Sequence, residues 1–92
     1  MIVSFKDADT MELFTTRKNR RWASIAKVAL RKLDQLEAAI SLDDMRIPPA
    51  NRLEALKGKR KGQHSVRIND QYRVCFVWKQ DGAHEVEIVD YH

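Results

Sequence analysis

The 92-residue sequence lacks the cysteine pairs, ligand clusters and long apolar runs that disulfides, metal sites and membrane spans are built from. Its single cysteine cannot form an internal disulfide, so a reducing compartment is expected. Its three histidines are scattered and give no metal-ligand spacing with that cysteine, so no metal site and no cofactor are expected. No apolar run approaches the roughly 20 residues of a membrane span, and no apolar signal segment follows the N-terminus. These absences predict a cytoplasmic protein with no membrane partner.

Positive charge is abundant and unevenly distributed. The net charge is +4, and 33% charged with 43% hydrophobic residues is typical of a small folded chain, so residues 1–92 are predicted to form one domain. Positions 17–32 hold seven cations and no acid, whereas positions 81–90 hold four acids and no cation. This polarity favours oriented binding to an anion.

Two helices are expected in the N-terminal half. Asp7 and Asp9 are N-cap residues for a brief helix through Phe14. A longer amphipathic helix, which ends before Pro48, is predicted from apolar residues at spacings of three, four and seven. Its stripe comprises Trp22, Ile25, Ala26, Ala29, Leu33, Leu36 and Ile40.

The remaining segments alternate with a period of two. Residues 1–6 form a plausible first strand, and from residue 53 onward the even positions are apolar. This pattern predicts three antiparallel strands with an even face on the helices and an odd face open to solvent. The expected fold is α+β: an N-terminal strand, two helices, and an antiparallel three-stranded meander in one sheet with the helices on one face.

Strand register places two arginines together. If the first hairpin has a three-residue turn, Arg67 lies directly opposite Arg73, where like charges destabilise unless an anion or a carboxylate such as Glu85 intervenes. Keeping the core residues on one face through the second hairpin requires a three-residue turn or a bulge at Gly82. In that register Tyr91 falls on the same face as the two arginines.

A basic loop leads into this hairpin. Six cations fall between Lys57 and Arg73, against the single acid Asp70, which predicts a site for a polyanion such as nucleic acid. Three of these cations are expected to give general phosphate affinity and so bind RNA: Lys59, Arg60 and Lys61.

The same surface suits phosphodiester cleavage in RNA by attack of a 2′-OH on its own phosphate. Arg67 and Arg73 offer bidentate donors to phosphate oxygens. Lys57 supplies a further cation or a proton. His92 is an acid or base near neutral pH, and Tyr91 stacks on a base or donates a hydrogen bond. Such a mechanism needs no metal.

Other reactive or aromatic side chains are interpreted as structural. Cys75 is expected to be a packing residue, and His64 lies at a core-side position. His84 is expected on the surface near a turn, while Trp22 and Trp78 fit core positions.

The residues that carry this chemistry resemble a known family. The segment NRLEALKGKRKGQHSVRINDQYRVCFVW, followed by VEIVDYH, is similar to the HigB (host inhibition of growth) toxins of the RelE/ParE superfamily. The core L-x-x-L-x-G-x-R-x-G-x-x-S-x-R-x-N-x-x-x-R with a terminal D-Y-H is specific, and similarity extends through RRW and RKLDQL to the N-terminal strand. The resemblance implies a toxin that enters the ribosomal A site and cuts mRNA without metal, by 2′-OH attack, which inhibits translation and growth.

The resemblance also implies site residues and partners. The family's basic catalytic set falls on Lys57, Arg67, Arg73, Tyr91 and His92. Some members carry a histidine where this chain has Glu54. The implied partners are a HigA-like helix-turn-helix antitoxin, the ribosome with its mRNA, and operator DNA only through the antitoxin.

Two other functions remain open at this point. ParE-type members of the superfamily act on DNA gyrase, so a non-catalytic inhibitor of gyrase or another macromolecule is the alternative. A generic RNA-binding domain is disfavoured, because the sequence has no aromatic RNP motif.

Overall fold

The computed structural model describes residues 1–91 as two helices packed on one face of a four-stranded antiparallel sheet. Strand order follows chain order, β1-β2-β3-β4. The predicted α+β class is confirmed, although the strand count differs. The elements are α1 (Ala8–Thr16), α2 (Ala26–Ala38), β1 (Glu54–Ala55), β2 (His64–Arg67), β3 (Tyr72–Lys79) and β4 (Gly82–Asp90).

The predicted N-terminal strand is present only as two isolated parallel bridges to β4. Ile2 pairs with Ala83 and Phe5 pairs with Val86. The Val3 N–H donates to the carbonyl of Ala83 at 2.7 Å. The sheet instead gains the two-residue strand β1, which alternation did not predict. Its two residues are too few to show a period.

Helix α1 begins where the sequence indicated, although Asp9 lies in its first turn and is not a cap, whereas α2 begins only after Trp22 and Ile25 of the predicted stripe. The Asp7 carboxylate accepts a hydrogen bond from the Thr10 N–H at 3.0 Å and so caps α1. The long helix is shorter than predicted, because Ile40 lies beyond its end and is 93% exposed. There the Asp44 carboxylate accepts from the N–H groups of Ile40 and Ser41 in a capping box that starts a new turn. Within residues 1–91, no helix is long and apolar enough to cross a membrane.

The main core lies between the helices and the even face of the sheet. Trp22 is almost fully buried and meets the Tyr72 ring edge-on at 5.5 Å, while Trp78 packs partly buried against the cluster. This confirms the expected core positions of both tryptophans. The fully buried members are Leu13, Ala29, Leu33, Leu36, Met45, Val66, Val74, Phe76, Ala83 and Val86.

The odd face of the sheet was expected to be open, and at its centre this is wrong. Ser65 and Cys75 are fully buried there. The 56–63 loop folds over them: Leu56 is buried outside the main core, and its N–H closes the loop by donating to the Gln63 carbonyl at 2.9 Å. Burial raises the pKa of the Cys75 thiol to about 11.

The second hairpin reaches the predicted register by a different route. Its turn has two residues, since Lys79 pairs with Gly82, so the three-residue turn and the bulge at Gly82 were wrong. The bulge lies further along β4, opposite Phe76, where Glu85 has a positive φ of 50°. This extra residue turns Val86 toward the core.

Gly82 is predicted to be the least replaceable glycine for stability. Its φ is 132°, and an added Cβ would lie 2.2 Å from the Met1 carbonyl oxygen. Gly82→Ala should lower the free energy of unfolding by about 3 kcal/mol, measured by urea denaturation. The matched control is Gly58→Ala, which has a φ of 64° and open space, and should cost about 1 kcal/mol. Equal losses would contradict the steric argument.

The Cys75 thiol is predicted to be unreactive in the folded protein. A pKa raised to about 11 leaves little thiolate at pH 8, and burial blocks access. Reaction with a disulfide reagent at pH 8 should be about a hundredfold slower than in guanidinium, where one thiol per chain should titrate. Rapid labelling without denaturant would refute the buried assignment.

Candidate active site

The candidate site is built on the first hairpin of the sheet. Arg67 at the end of β2 pairs directly with Arg73 in β3, and the Ile68 N–H donates to the Tyr72 carbonyl at 2.9 Å. This is the register that the sequence predicted. Two guanidinium groups therefore leave neighbouring backbone positions on the same face of the sheet.

Each arginine of this pair has its own oxygen partners. Arg67 forms an ion pair with Asp70 in the turn. Arg73 lies 3.5 Å from the Glu54 carboxylate, measured from Nη1 to Oε1. Its Nη2 also donates to the backbone carbonyl of Arg52 at 2.6 Å. The charge of the pair is thereby offset, and both side chains are held in place.

Glu85, the carboxylate predicted from sequence to lie between the two arginines, does not pair with either of them within residues 1–91. It is exposed in the β4 bulge, and its N–H donates to the Ser4 hydroxyl. The ion pair between Arg67 and Asp70 could have been predicted, because Asp70 follows Arg67 by three residues in the turn. Glu54 and the Arg52 carbonyl gave no such signal, since they precede Arg73 by about twenty residues and one of them is backbone.

The end of β4 brings Tyr91 to the arginine pair, as the register predicted. The Arg73 guanidinium carbon lies 5.7 Å from the centroid of the Tyr91 ring. The Tyr91 N–H donates to the Gln71 carbonyl at 2.6 Å, which fixes its backbone beside the hairpin turn. Only 11% of the Arg73 side chain is exposed, whereas Tyr91 is 38% exposed.

An open cleft of about 520 Å³ adjoins Tyr91. Arg60 reaches it from the 56–63 loop, and its guanidinium lies 3.5 Å from the Glu87 carboxylate in β4. Lys6 approaches the same carboxylate at 3.3 Å. Arg60 thus anchors the loop on the sheet while lining the cleft. The cleft is lined by Arg60, Val89, Asp90 and Tyr91.

The structure places the other basic residues of the loop in solvent. Lys57, Lys59 and Lys61 are all exposed around the single turn Gly58–Arg60. They form an exposed set of charges on the loop that carries Arg60, rather than part of the packed arginine cluster. Residue His92 lies outside the described residues.

Of the remaining histidines, His64 takes the core-side position that was expected, whereas His84 lies beside the expected turn but is partly buried rather than on the surface. His64 is partly buried and stacks with Phe76, and burial lowers its pKa. His84 pairs with Asp81 beside the second turn at 2.6 Å, and this hydrogen bond lowers the pKa of the Asp81 carboxyl. His84 is less exposed than a turn-proximal surface residue would be, with 20% of its side chain accessible.

Comparison with solved structures shows that the fold is shared with other proteins. The chain superposes on a chain of the YoeB-YefM complex from Staphylococcus aureus with a TM-score of 0.62 and 17% identity, covering 100% of this chain and 98% of that one. It superposes on a mutant of YafQ from Escherichia coli with a TM-score of 0.60 and 12% identity, covering 98% and 91%.

Sequence comparison is more specific. The chain is 42% identical over 80 residues to Toxin HigB-1 of Vibrio cholerae serotype O1, covering 85% of this chain and 84% of the Vibrio protein. Residues 3–92 match the family described as the RelE-like toxin of type II toxin-antitoxin system HigB. The chain belongs to this family of RelE-like HigB toxins.

Proposed function

We propose that this toxin is a ribosome-dependent endoribonuclease that cuts mRNA in the A site by a metal-independent mechanism. The observation that carries the proposal is the opposition of Arg67 and Arg73, with Tyr91 over one guanidinium and an open cleft beside it. Two guanidinium groups on one face of the sheet beside an open cleft suit a polyanionic substrate, whose phosphate oxygens accept bidentate hydrogen bonds. Family membership and the shared toxin fold support the same class of activity.

The arginine pair would stabilise the charge that develops on the phosphate. In the reaction the 2′-oxygen bonds to phosphorus and the bond from phosphorus to the 5′-oxygen breaks, which leaves a cyclic phosphate and a 5′-hydroxyl. Negative charge grows on the non-bridging oxygens of the intermediate. Planar guanidinium groups of Arg67 and Arg73 match two such oxygens, and partial burial strengthens their field.

Tyr91 would contact a base of the bound RNA. In the free protein the Arg73 guanidinium carbon lies 5.7 Å from the centroid of the Tyr91 ring, and the Arg73 side chain is only 11% exposed. RNA that reaches Arg73 must therefore displace the ring, and a displaced tyrosine is placed to stack on the nucleotide entering the cleft. Substrate binding and uncovering of the arginine would then be one event.

Two groups would transfer the protons. The neutral imidazole of His92 is assigned to accept the 2′-hydroxyl proton, and the ammonium of Lys57 is assigned to give a proton to the 5′-oxygen. Lys57 is exposed on the loop that covers the sheet, so it moves without disturbing the core. Because no contact within residues 1–91 holds the Lys57 side chain against the arginine pair, the ribosome would supply its alignment.

The loop cations would contribute affinity rather than chemistry. Lys59 and Lys61 are exposed, and Arg60 lines the cleft while paired with Glu87. Exposed cations near a cleft attract phosphates in a salt-dependent way. These three residues are proposed to bind the RNA backbone next to the cut.

An antitoxin is the proposed protein partner. The family is that of a toxin–antitoxin system, and the Staphylococcus aureus neighbour is part of a YoeB-YefM complex. A HigA-like antitoxin with a helix-turn-helix domain would bind this chain and carry it to operator DNA. Co-expression with the adjacent reading frame, followed by copurification, tests this partner.

Arg73 is predicted to be essential for cleavage. Arg73→Ala should lower the rate of mRNA cutting by a hundredfold or more, on the order of the loss of one preorganised donor to a reaction oxyanion. Arg73→Lys should recover little, because an ammonium does not reproduce the fork that bonds the Arg52 carbonyl. The measurement is primer extension on a defined mRNA in a purified translation system.

The matched control is Lys79→Ala. Lys79 is exposed at the other end of β3, six residues from Arg73 and so about 20 Å away. Lys79→Ala removes the same charge as Arg73→Ala and should cut mRNA at the wild-type rate, whereas a variant that ends before His92 should be inactive. If Arg73→Ala and the variant without His92 both cut at the wild-type rate, the assignment is wrong. Active toxin without any cuts would favour gyrase inhibition, tested by a supercoiling assay.

A further inference from the structure

Lys32 is a buried cation that the proposed chemistry does not use. It lies on α2, facing the protein interior, and is only 6% exposed. Within residues 1–91 no carboxylate pairs with it; its ammonium donates to the Asn51 side-chain oxygen at 2.5 Å. Burial, and then the positive charges of Arg31 and Arg67, lower its pKa. A cation kept in such surroundings is costly, so a packing role alone does not explain it.

Asn51 joins Lys32 to the backbone that precedes β1. It is fully buried, and its amide nitrogen donates to the Gln35 side chain at 2.9 Å and to the Met45 carbonyl at 3.1 Å. Both ends of the asparagine amide are therefore bonded. This network pins the residue next to Arg52 to helix α2.

Arg52 has a strained backbone at the point where it meets the site. Its φ is 46°, in the left-handed region that a non-glycine residue seldom adopts. Its N–H donates to the Pro49 carbonyl at 3.1 Å, and its own carbonyl accepts from Arg73 Nη2 at 2.6 Å. A strained residue persists only where its neighbours hold it, and Asn51 is the neighbour that is fixed.

We propose that Lys32 and Asn51 are positioning residues for the nuclease reaction. They hold the left-handed backbone at Arg52, whose carbonyl in turn fixes the Arg73 guanidinium for phosphate binding. The chain of contacts runs from α2 through buried side chains to a backbone oxygen and then to the arginine. The catalytic consequence rests on the proposed function, whereas the positioning of Arg73 is testable without it.

The kinetic test compares Lys32→Met with Lys27→Met, which removes an exposed lysine from the same helix. Single-turnover cleavage on programmed ribosomes should fall about tenfold or more in Lys32→Met, since small misplacement of a reacting group is costly, with the half-saturating toxin concentration unchanged. Lys27→Met should stay within about twofold of wild type. Lys32→Met should lower the melting temperature only modestly, because removal of a buried charge partly offsets the Asn51 side-chain oxygen that loses its donor.

A double variant asks whether Lys32 acts through Arg73. The Arg73→Lys variant has no guanidinium to donate to the Arg52 carbonyl. In that background, Lys32→Met should lower the cleavage rate by less than about a further twofold. A full additional tenfold loss in the double variant would show that Lys32 acts elsewhere and would overturn the proposal.

The structural test uses nitrogen-15 NMR of the arginine side chains. The Arg73 Nη protons, identified by their absence in Arg73→Lys, should exchange slowly in wild type and in Lys27→Met, and fast in Lys32→Met. Slow exchange in Lys32→Met would overturn the positioning role even if no variant cuts RNA. If wild type does not cut RNA but the Nη protons respond as expected, the proposed function fails and the positioning of Arg73 stands. Should Lys32→Met not fold, Lys32→Gln provides the same comparison.

Discussion

Repulsion between two guanidinium groups is the constraint on which the candidate site depends. Arg67 and Arg73 leave facing positions of adjacent strands, an arrangement that costs on the order of 1 kcal/mol when nothing lies between them. The protein offsets it with three oxygens from separate parts of the chain: the turn carboxylate of Asp70, the β1 carboxylate of Glu54 and the carbonyl of Arg52. The short strand β1 and the loop before it thus position Arg73 as well as completing the sheet.

The sheet separates the core from the chemistry within single strands. In β3, Val74 and Phe76 point into the helical side, whereas Arg73 and Cys75 point to the other. The 56–63 loop is anchored on that second side by the Arg60–Glu87 ion pair, and Cys75 is fully buried there. The strand that carries Arg73 is therefore buried on both faces at Val74, Cys75 and Phe76, directly beside the arginine.

Sequence patterns predicted the features that depend on alternation. A period of two placed Arg67 opposite Arg73 and brought Tyr91 to their face, and it also identified the core strands. The end of the long helix was predicted too late, because the apolar stripe continues to Ile40. The Asp44 carboxylate accepts a hydrogen bond from the Ile40 N–H, and this contact starts a new turn in place of the helix.

Contacts made over long separations or by backbone atoms were not predictable in the same way. Glu54 reaches Arg73 from nineteen residues earlier, and the Arg52 carbonyl has no side-chain chemistry to reveal it. Burial of Cys75 depends on a loop that lies across the strand, and such a loop leaves no periodic signal. The resemblance to a toxin family implied a set of candidate site residues but not the atoms that hold them.

The bulge in β4 makes the site depend on the number of residues as well as on their identity. Ala83 faces the core before the bulge, and Val86 and Ile88 face it afterwards, because Glu85 adds one position. In-frame loss of the Glu85 codon would remove the bulge and leave a regular strand in which Val86 and Ile88 still face the core. In-frame loss of one codon directly after Val86 would instead exchange the two faces for every residue that follows, so that Ile88 would turn outward and Tyr91 inward, with each side chain chemically intact. The number of residues between the bulge and Tyr91 is therefore as much a requirement of the proposed site as their identity.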